Sequence, residues 1–168
     1  NNYFYDQYVA GSLNIHEYCE FALGTFISLG KERTEQVLDI FMKEVIEPMI
    51  NIYILRVLHK HYEAGDTLLL ASATNSILVN KIGARLEFKN IIGTDPEINE
   101  GNITGKILGV PAIGEGKLKK VKSWMNENGK VDFSETTFYS DSINDLPLLL
   151  EVEVPIAVNP DNMLREEA

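Results

Sequence analysis

The stretch Phe138-Tyr139-Ser140-Asp141-Ser142-Ile143-Asn144-Asp145-Leu146-Pro147 constrains this chain more than any other. Thr136 to Tyr139 is a short β-branched and aromatic run, and Leu146-Pro147-Leu148-Leu149-Leu150 is an apolar helical turn, so the segment reads as strand, acidic loop, helix. In an open parallel sheet such a loop lies at the carboxyl end of its strand, where ligands bind. Asp141 and Asp145 both sit on it. Two close carboxylates repel each other unless a cation or a proton intervenes, and hard oxygen ligands of this kind suit Mg²⁺. The plain alternative makes them loop and helix-cap acids, so their neighbours must decide.

At 168 residues the chain can bury roughly 70% of the surface its unfolded form exposes, enough for one core with a small appended subdomain. The formal net charge of -10 argues against nucleic acid or an anionic membrane as partner, since either needs a basic face. The single cysteine, Cys19, cannot form an internal disulfide, and its place in a helical pattern beside Tyr18 and Phe21 predicts a buried apolar role. A cytoplasmic setting is the default, with no run of eighteen apolar residues and no signal-like start. The chain opens without Met and inside a helical pattern, from which an N-terminal portion preceding Asn1 is expected.

From Tyr3 to Met49 the pattern is helical. Asn14 is the expected N-cap of a helix carrying Tyr18, Phe21, Ala22, Thr25, Phe26 and Leu29 and stopped by Gly30; Thr34 caps the next, striped by Val37, Leu38, Phe41, Met42, Val45 and Ile46. Pro48 allows a fresh start running to Gly65. His59 and His61, two apart on that helix, do not share a face and are not expected to form a metal pair. Thr67 to Ala71 reads as a buried parallel strand delivering Ser72, Thr74 and Asn75 to the sheet's carboxyl end, before a short helix that Gly83 terminates. A hydroxyl and free amides at a helix N-terminus make an anion site, or else these residues merely cap the helix. Phe88 to Ile92 is a strand, and Glu97 to Ile107 a hairpin turning at Glu100-Gly101-Asn102. Gly114-Glu115-Gly116-Lys117 opens a helix, and Lys117 stands in its first turn, where the dipole disfavours a cation unless something anionic offsets it. Pro155 to Val158 is a last strand, broken by Asn159-Pro160-Asp161 before a helix start at Leu164-Arg165.

Three of these segments, Leu68 to Asn75, Gly114 to Lys117 and Ser140-Asp141-Ser142-Ile143-Asn144-Asp145, resemble in order the second, third and fourth motifs of the haloacid dehalogenase superfamily, phosphoserine-phosphatase-like branch. Where that branch usually shows G-D-G-x-N-D, both glycines are here serines, Ser140 and Ser142. The resemblance implies an α/β fold with a doubly wound, mainly parallel, Rossmann-like sheet and an N-terminal helical cap over residues 1–46, the core taking 47–168. It implies Mg²⁺-dependent hydrolysis of a small phosphomonoester, phosphoserine-like or histidinol-phosphate-like, through an aspartyl-phosphate. Ser72 would hold the phosphoryl group, with Thr74, Asn75 and Asn144 as neighbours; Lys117 would offset phosphate charge; Asp141 would bind the metal, and Asp145 would hold a metal-bound water or orient Lys117. The family's first motif, D-x-D-x-T/V, which carries the nucleophile, does not occur in these residues. The core is therefore expected to lack its first strand, and the 168-residue chain alone to be inactive and poorly soluble. An inactive phosphate-binding or scaffolding protein, and a phosphotransferase using the same site, are the alternatives. Glu17 to Leu29 offers Glu17 and Glu20 for an amino group but no Lys or Arg for the carboxylate of phosphoserine, so a phosphomonoester without that carboxylate, such as a histidinol-phosphate-like amine, is expected at least as much as phosphoserine. Oligomeric state is left open.

Overall fold

The structure, a computed structural model, describes Tyr3, Phe4, Gln7 and residues 13–167. The helical reading of the first twelve residues otherwise lies outside the described residues. The chain divides into two compact units, Asn1–Leu70 with Thr74–Pro111, and Ala71–Ala73 with Ala112–Ala168.

In the first unit, α1 (Ile15–Phe41) starts where expected. Asn14 Oδ1 accepts the amides of His16 at 3.1 Å and Glu17 at 3.4 Å, and Asn14 Nδ2 donates to Glu17 Oε1 at 3.0 Å. Its helical dihedrals break at Gly30 (φ 70, ψ 170). Thr34 does not cap the second half: it is buried, and its hydroxyl donates back across the break to the Phe26 carbonyl at 3.3 Å. The buried stripe is Cys19, Leu23 and Leu38, whereas Tyr18 and Phe21 are 41% and 52% exposed. Apolar residues circle this helix from Tyr18 to Ile27, so periodicity alone does not choose the inward face. The hairpin does: its second strand lies along α1, with Ile27 Cδ1 3.0 Å from the position a Cβ would take on Gly105. Burial pushes the Cys19 thiol up from its ordinary value.

From Met42 to Ile46 the helix widens into a π turn, with the Glu47 amide bonded to the Met42 carbonyl. The wider register precedes Pro48, whose ring would crowd the Glu44 carbonyl in α register and which has no amide to donate. After α2 (Glu47–Met49) the new start belongs to Asn51 rather than Pro48. Asn51 Oδ1 accepts from Tyr53 and Ile54, each at 3.0 Å, to open α3 (Ile52–Ala64), which Gly65 closes at φ 79. His59 pairs with Glu63 and His61 with Asp66, so the histidines do not converge.

Strand β1 (Leu69–Asn75) runs four residues past the predicted end and pairs with β2 (Asn90–Thr94). Between them, α4 (Ser76–Arg85) continues through Gly83 instead of ending there. A Cβ there would press on the Ile91 side chain, which would have to shift. Lys81 meets Glu35 and Asp39, each at 2.8 Å, and Arg85 grips Glu47, tying α4 to α1 and α2. β3 (Pro96–Asn99) and β4 (Asn102–Ile107) form the antiparallel hairpin, turning through Glu100 (φ 48) and Gly101 (φ 80).

The second unit contains α5 (Glu115–Glu127), β5 (Thr137–Ser140), a 3₁₀ turn (Ile143–Asp145), α6 (Leu146–Leu149), β6 (Val154–Ala157) and α7 (Asn162–Glu167). β5 and β6 pair in parallel, from Thr137 opposite Val154 to Ser140 opposite Ala157. Leu118, Val121, Met125, Phe133, Leu148, Leu149, Val152 and Leu164 are buried. At ~25 cal/mol per Å² of apolar surface, such residues supply most of this unit's stability. Among the described residues the strands form three two-stranded ladders. The class is α/β, with an N-terminal helical region and parallel sheet segments. No helix among the described residues is long and apolar enough to cross a membrane.

Candidate active site

The site is built in the second unit from the start of α5 and the loop after β5. Gly114 turns the chain into α5 at φ 53, ψ −132, a conformation that side chains rarely adopt. The turn brings Lys117 into the first turn, its amide bonded to the Gly114 carbonyl at 3.0 Å. Lys117 is only 5% exposed. The anion that offsets the dipole there is Asp145, also buried, whose Oδ1 accepts from Lys117 Nζ. Asp145 Oδ2 accepts the Ser140 hydroxyl at 2.7 Å. Both carboxylate oxygens are thus engaged, which is what a buried ion pair needs to offset its desolvation.

The loop is wired by its own hydroxyls. Ser140 Oγ accepts the Ser142 amide at 3.2 Å, and Ser142 Oγ accepts the Asn144 amide at 3.3 Å and Asn144 Nδ2 at 3.2 Å. The two positions where glycine is usual in the resembled motif therefore carry loop-fixing groups. Farther along, Asp161 Oδ2 accepts the Ile143 amide at 2.9 Å, its Oδ1 accepts the Leu164 amide at 2.8 Å, and its own amide donates to the Asp141 carbonyl at 2.8 Å. The Leu164 amide foremost, then the amides of Ile143 and Met163 and the Ser142 hydroxyl, hold the Asp161 carboxyl below its ordinary value against the opposing effect of burial.

Asp141 is exposed, and among the described residues no side-chain hydrogen bond or ion pair of its carboxylate is found. No group of three or more His, Cys, Asp or Glu assembles among the described residues. A cation that keeps several waters and takes one or two carboxylates, as Mg²⁺ does, needs no such group. Asp141 fits it directly, while Asp145, with both oxygens engaged, fits the orienting role toward Lys117.

Of the other residues singled out, Ser72 lies on β1, half-buried, and groups by contacts with the second unit. Thr74 and Asn75 group with the first unit. Thr74 is exposed, and Asn75 Oδ1 accepts the Leu78 amide at 3.1 Å, so Asn75 does cap α4. The sequence reading gives no role to Ser140, Ser142 or Asp161. A signal for Asp161 was present: an acidic residue three before the Leu164 amide is an N-cap pattern. Its bond to Ile143, eighteen positions away, had none.

The family model for haloacid dehalogenase-like hydrolases matches residues 3–150. A histidinol-phosphatase of Neisseria meningitidis serogroup C (strain 8013) is 37% identical over 100% of this chain and 77% of its own length. A phosphoserine phosphatase of Mycobacterium tuberculosis is 37% identical over 64% of this chain, which there spans only 35% of the relative. The crystal structure of a protein of unknown function from Bordetella pertussis Tohama I matches with a TM-score of 0.91 at 35% identity, over 99% of this chain and 76% of that one. With most of the chain inside the family match and one relative aligned along all of it, this chain belongs to the haloacid dehalogenase-like hydrolases, among their phosphatases.

Proposed function

We propose that the intact protein is a Mg²⁺-dependent phosphomonoesterase acting on a small phosphorylated metabolite through an aspartyl-phosphate. The observation that carries this reading is the buried Lys117–Asp145–Ser140 chain, which ties the start of α5 to the short loop bearing the exposed carboxylate of Asp141. A lysine held in place by a buried carboxylate is a preorganised cation, and phosphoryl transfer depends chiefly on such positioned charge. Lys117 offsets charge on the phosphoryl oxygens, and Asp145 keeps its ammonium from swinging away. Ser72 donates its hydroxyl to a phosphoryl oxygen. Thr74, Asn75 and Asn144 contribute less: the Asn75 oxygen is spent on its cap and Asn144 Nδ2 on Ser142. Asp141 would hold Mg²⁺, which when bound supplies further neutralisation of the phosphate.

The attacking carboxylate belongs to the family's first motif, which does not occur within residues 1–168. Its oxygen would bond to phosphorus while the ester P–O bond breaks and the leaving oxygen takes a proton from the second aspartate of the same D-x-D motif. Water then cleaves the acyl phosphate, releasing inorganic phosphate and restoring the carboxylate. Residues 1–46 are assigned to the cap and 47–168 to the core.

For substrate, a histidinol-phosphate-like amine is favoured over phosphoserine. Two observations support it: the name of the relative aligned along all of this chain, and the lack of any Lys or Arg from Glu17 to Leu29. The test is phosphate release by the intact protein from histidinol phosphate, phosphoserine and an aryl phosphate, each with Mg²⁺ and with EDTA. Metal-dependent turnover with the higher kcat/KM on histidinol phosphate is expected. Turnover unaffected by EDTA contradicts the metal assignment, and a large preference for phosphoserine contradicts the substrate.

A further inference from the structure

We propose that Asp161 is a positioning residue that locks the backbone of the acidic loop from behind, so that Asp141 and the Ser142–Asn144 turn are held in place before any ligand arrives. The inference rests on the reading of that loop as the metal-bearing one. The polypeptide after β6 follows the end of β5 closely. The Val158 amide donates to the Ser140 carbonyl at 2.8 Å, and the Asp161 amide donates to the Asp141 carbonyl at 2.8 Å, extending the contact beyond the ladder to the residue that carries the exposed carboxylate. The Asp161 side chain then reaches the same loop one turn later, its Oδ2 accepting the Ile143 amide at 2.9 Å. Between these two contacts lies Ser142. Ser142 is the residue whose oxygen takes the Asn144 amide and Nδ2. Asp161 thus grips the loop at Asp141 and Ile143, on either side of Ser142.

The simpler role for Asp161 is to cap α7. Its Oδ1 does so, accepting the Leu164 amide at 2.8 Å. Capping needs one side-chain oxygen and a neighbouring amide. It does not require the second oxygen to reach an amide eighteen positions away in another segment, nor the backbone bond to Asp141. The two roles therefore use different oxygens and are separable by substitution. Asparagine caps a helix about as well as aspartate, but its single oxygen can serve Leu164 or Ile143, not both, and its amide would face the other N–H donor. Because asparagine is a preferred N-cap, Asp161→Asn keeps the Leu164 bond and loses the Ile143 bond, and Asp161→Ala loses both side-chain bonds; the backbone bond to Asp141 stays in each.

The experiment uses the intact protein and measures Mg²⁺ affinity by calorimetry, amide hydrogen exchange, and steady-state hydrolysis of an aryl phosphate, for wild type, D161N, D161A and D141N. In D161N the Leu164 amide keeps its protection while the Ile143 amide exchanges about tenfold faster, the scale of one lost charge-assisted hydrogen bond. Mg²⁺ affinity falls about 10–100-fold, as for other residues that orient a metal ligand without touching the metal, and kcat falls while KM at saturating metal changes by less than about twofold. If D161N matches wild type in Ile143 exchange and Mg²⁺ affinity, and only D161A loses stability, Asp161 is a helix cap and the inference is overturned while the loop's metal role stands. If D141N binds Mg²⁺ as wild type does, the metal reading falls and this inference falls with it.

Discussion

Lys117 stands in the first turn of α5, where the helix dipole opposes a cation, and it is buried there. The opposition to the dipole was readable from Gly114-Glu115-Gly116-Lys117; the partner was not, because Asp145 comes from a separate segment and only the fold brings the two together. Removing one member of a buried, hydrogen-bonded ion pair leaves the other uncompensated and costs about 3–5 kcal/mol. Lys117→Met is therefore expected to destabilise the protein by about that amount in urea unfolding, in addition to losing turnover. Asp141→Asn behaves oppositely. Its carboxylate is exposed, so the substitution is expected to change stability by less than about 0.5 kcal/mol while removing metal-dependent turnover. Cys19 offers a third check at this scale: burial raises its thiol pKa, so little thiolate forms in the native state. Alkylation near pH 8 is expected to be slow in the folded protein and fast in denaturant. Equal labelling rates would contradict the packing of α1.

At the level of elements, the sequence was informative wherever a local rule acts alone. Asn14 caps α1, Gly30 breaks it, Gly65 closes α3, and the hairpin turns at Glu100-Gly101. It failed where a distant segment decides. Gly83 looked like a helix stop, but α4 runs through it, and the Ile91 side chain packs where a Cβ would lie. Thr34 looked like a cap, but its hydroxyl is drawn across the Gly30 break to Phe26. β1 extends to Asn75, so Ser72 and Thr74 lie on the strand rather than after it. The Gly83 explanation predicts a cost. Gly83→Ala forces its Cβ into Ile91 Cδ1 and is expected to destabilise by about 1–3 kcal/mol, despite alanine's better helix propensity. Ile91→Val removes that methyl, and in the double variant part of the loss is expected to return. A stabilising Gly83→Ala would mean that Ile91 yields freely.

Across the whole molecule, fold class was legible because β5, its acidic loop and α6 form a unit that alternates apolar strand and apolar helix. The ordered recurrence of three motifs pointed to the family to which the chain belongs. What the motifs did not reveal is the bonding inside the loop. Ser140 and Ser142 read as departures from a glycine pattern, yet each makes side-chain hydrogen bonds that fix the loop. The resulting picture is an internally hydrogen-bonded acidic loop in which one carboxylate is committed to a lysine and the other is exposed. The most direct measurement is the Mg²⁺ dependence of aryl phosphate hydrolysis by the intact protein and its Asp141→Asn variant, with exposed Glu100→Gln as a surface control. Wild type and the control are expected to show the same saturable Mg²⁺ activation, and Asp141→Asn to lose turnover by about two orders of magnitude or more at any metal concentration. Undiminished Mg²⁺-dependent turnover in Asp141→Asn would contradict the assignment of this loop as the centre of the chemistry.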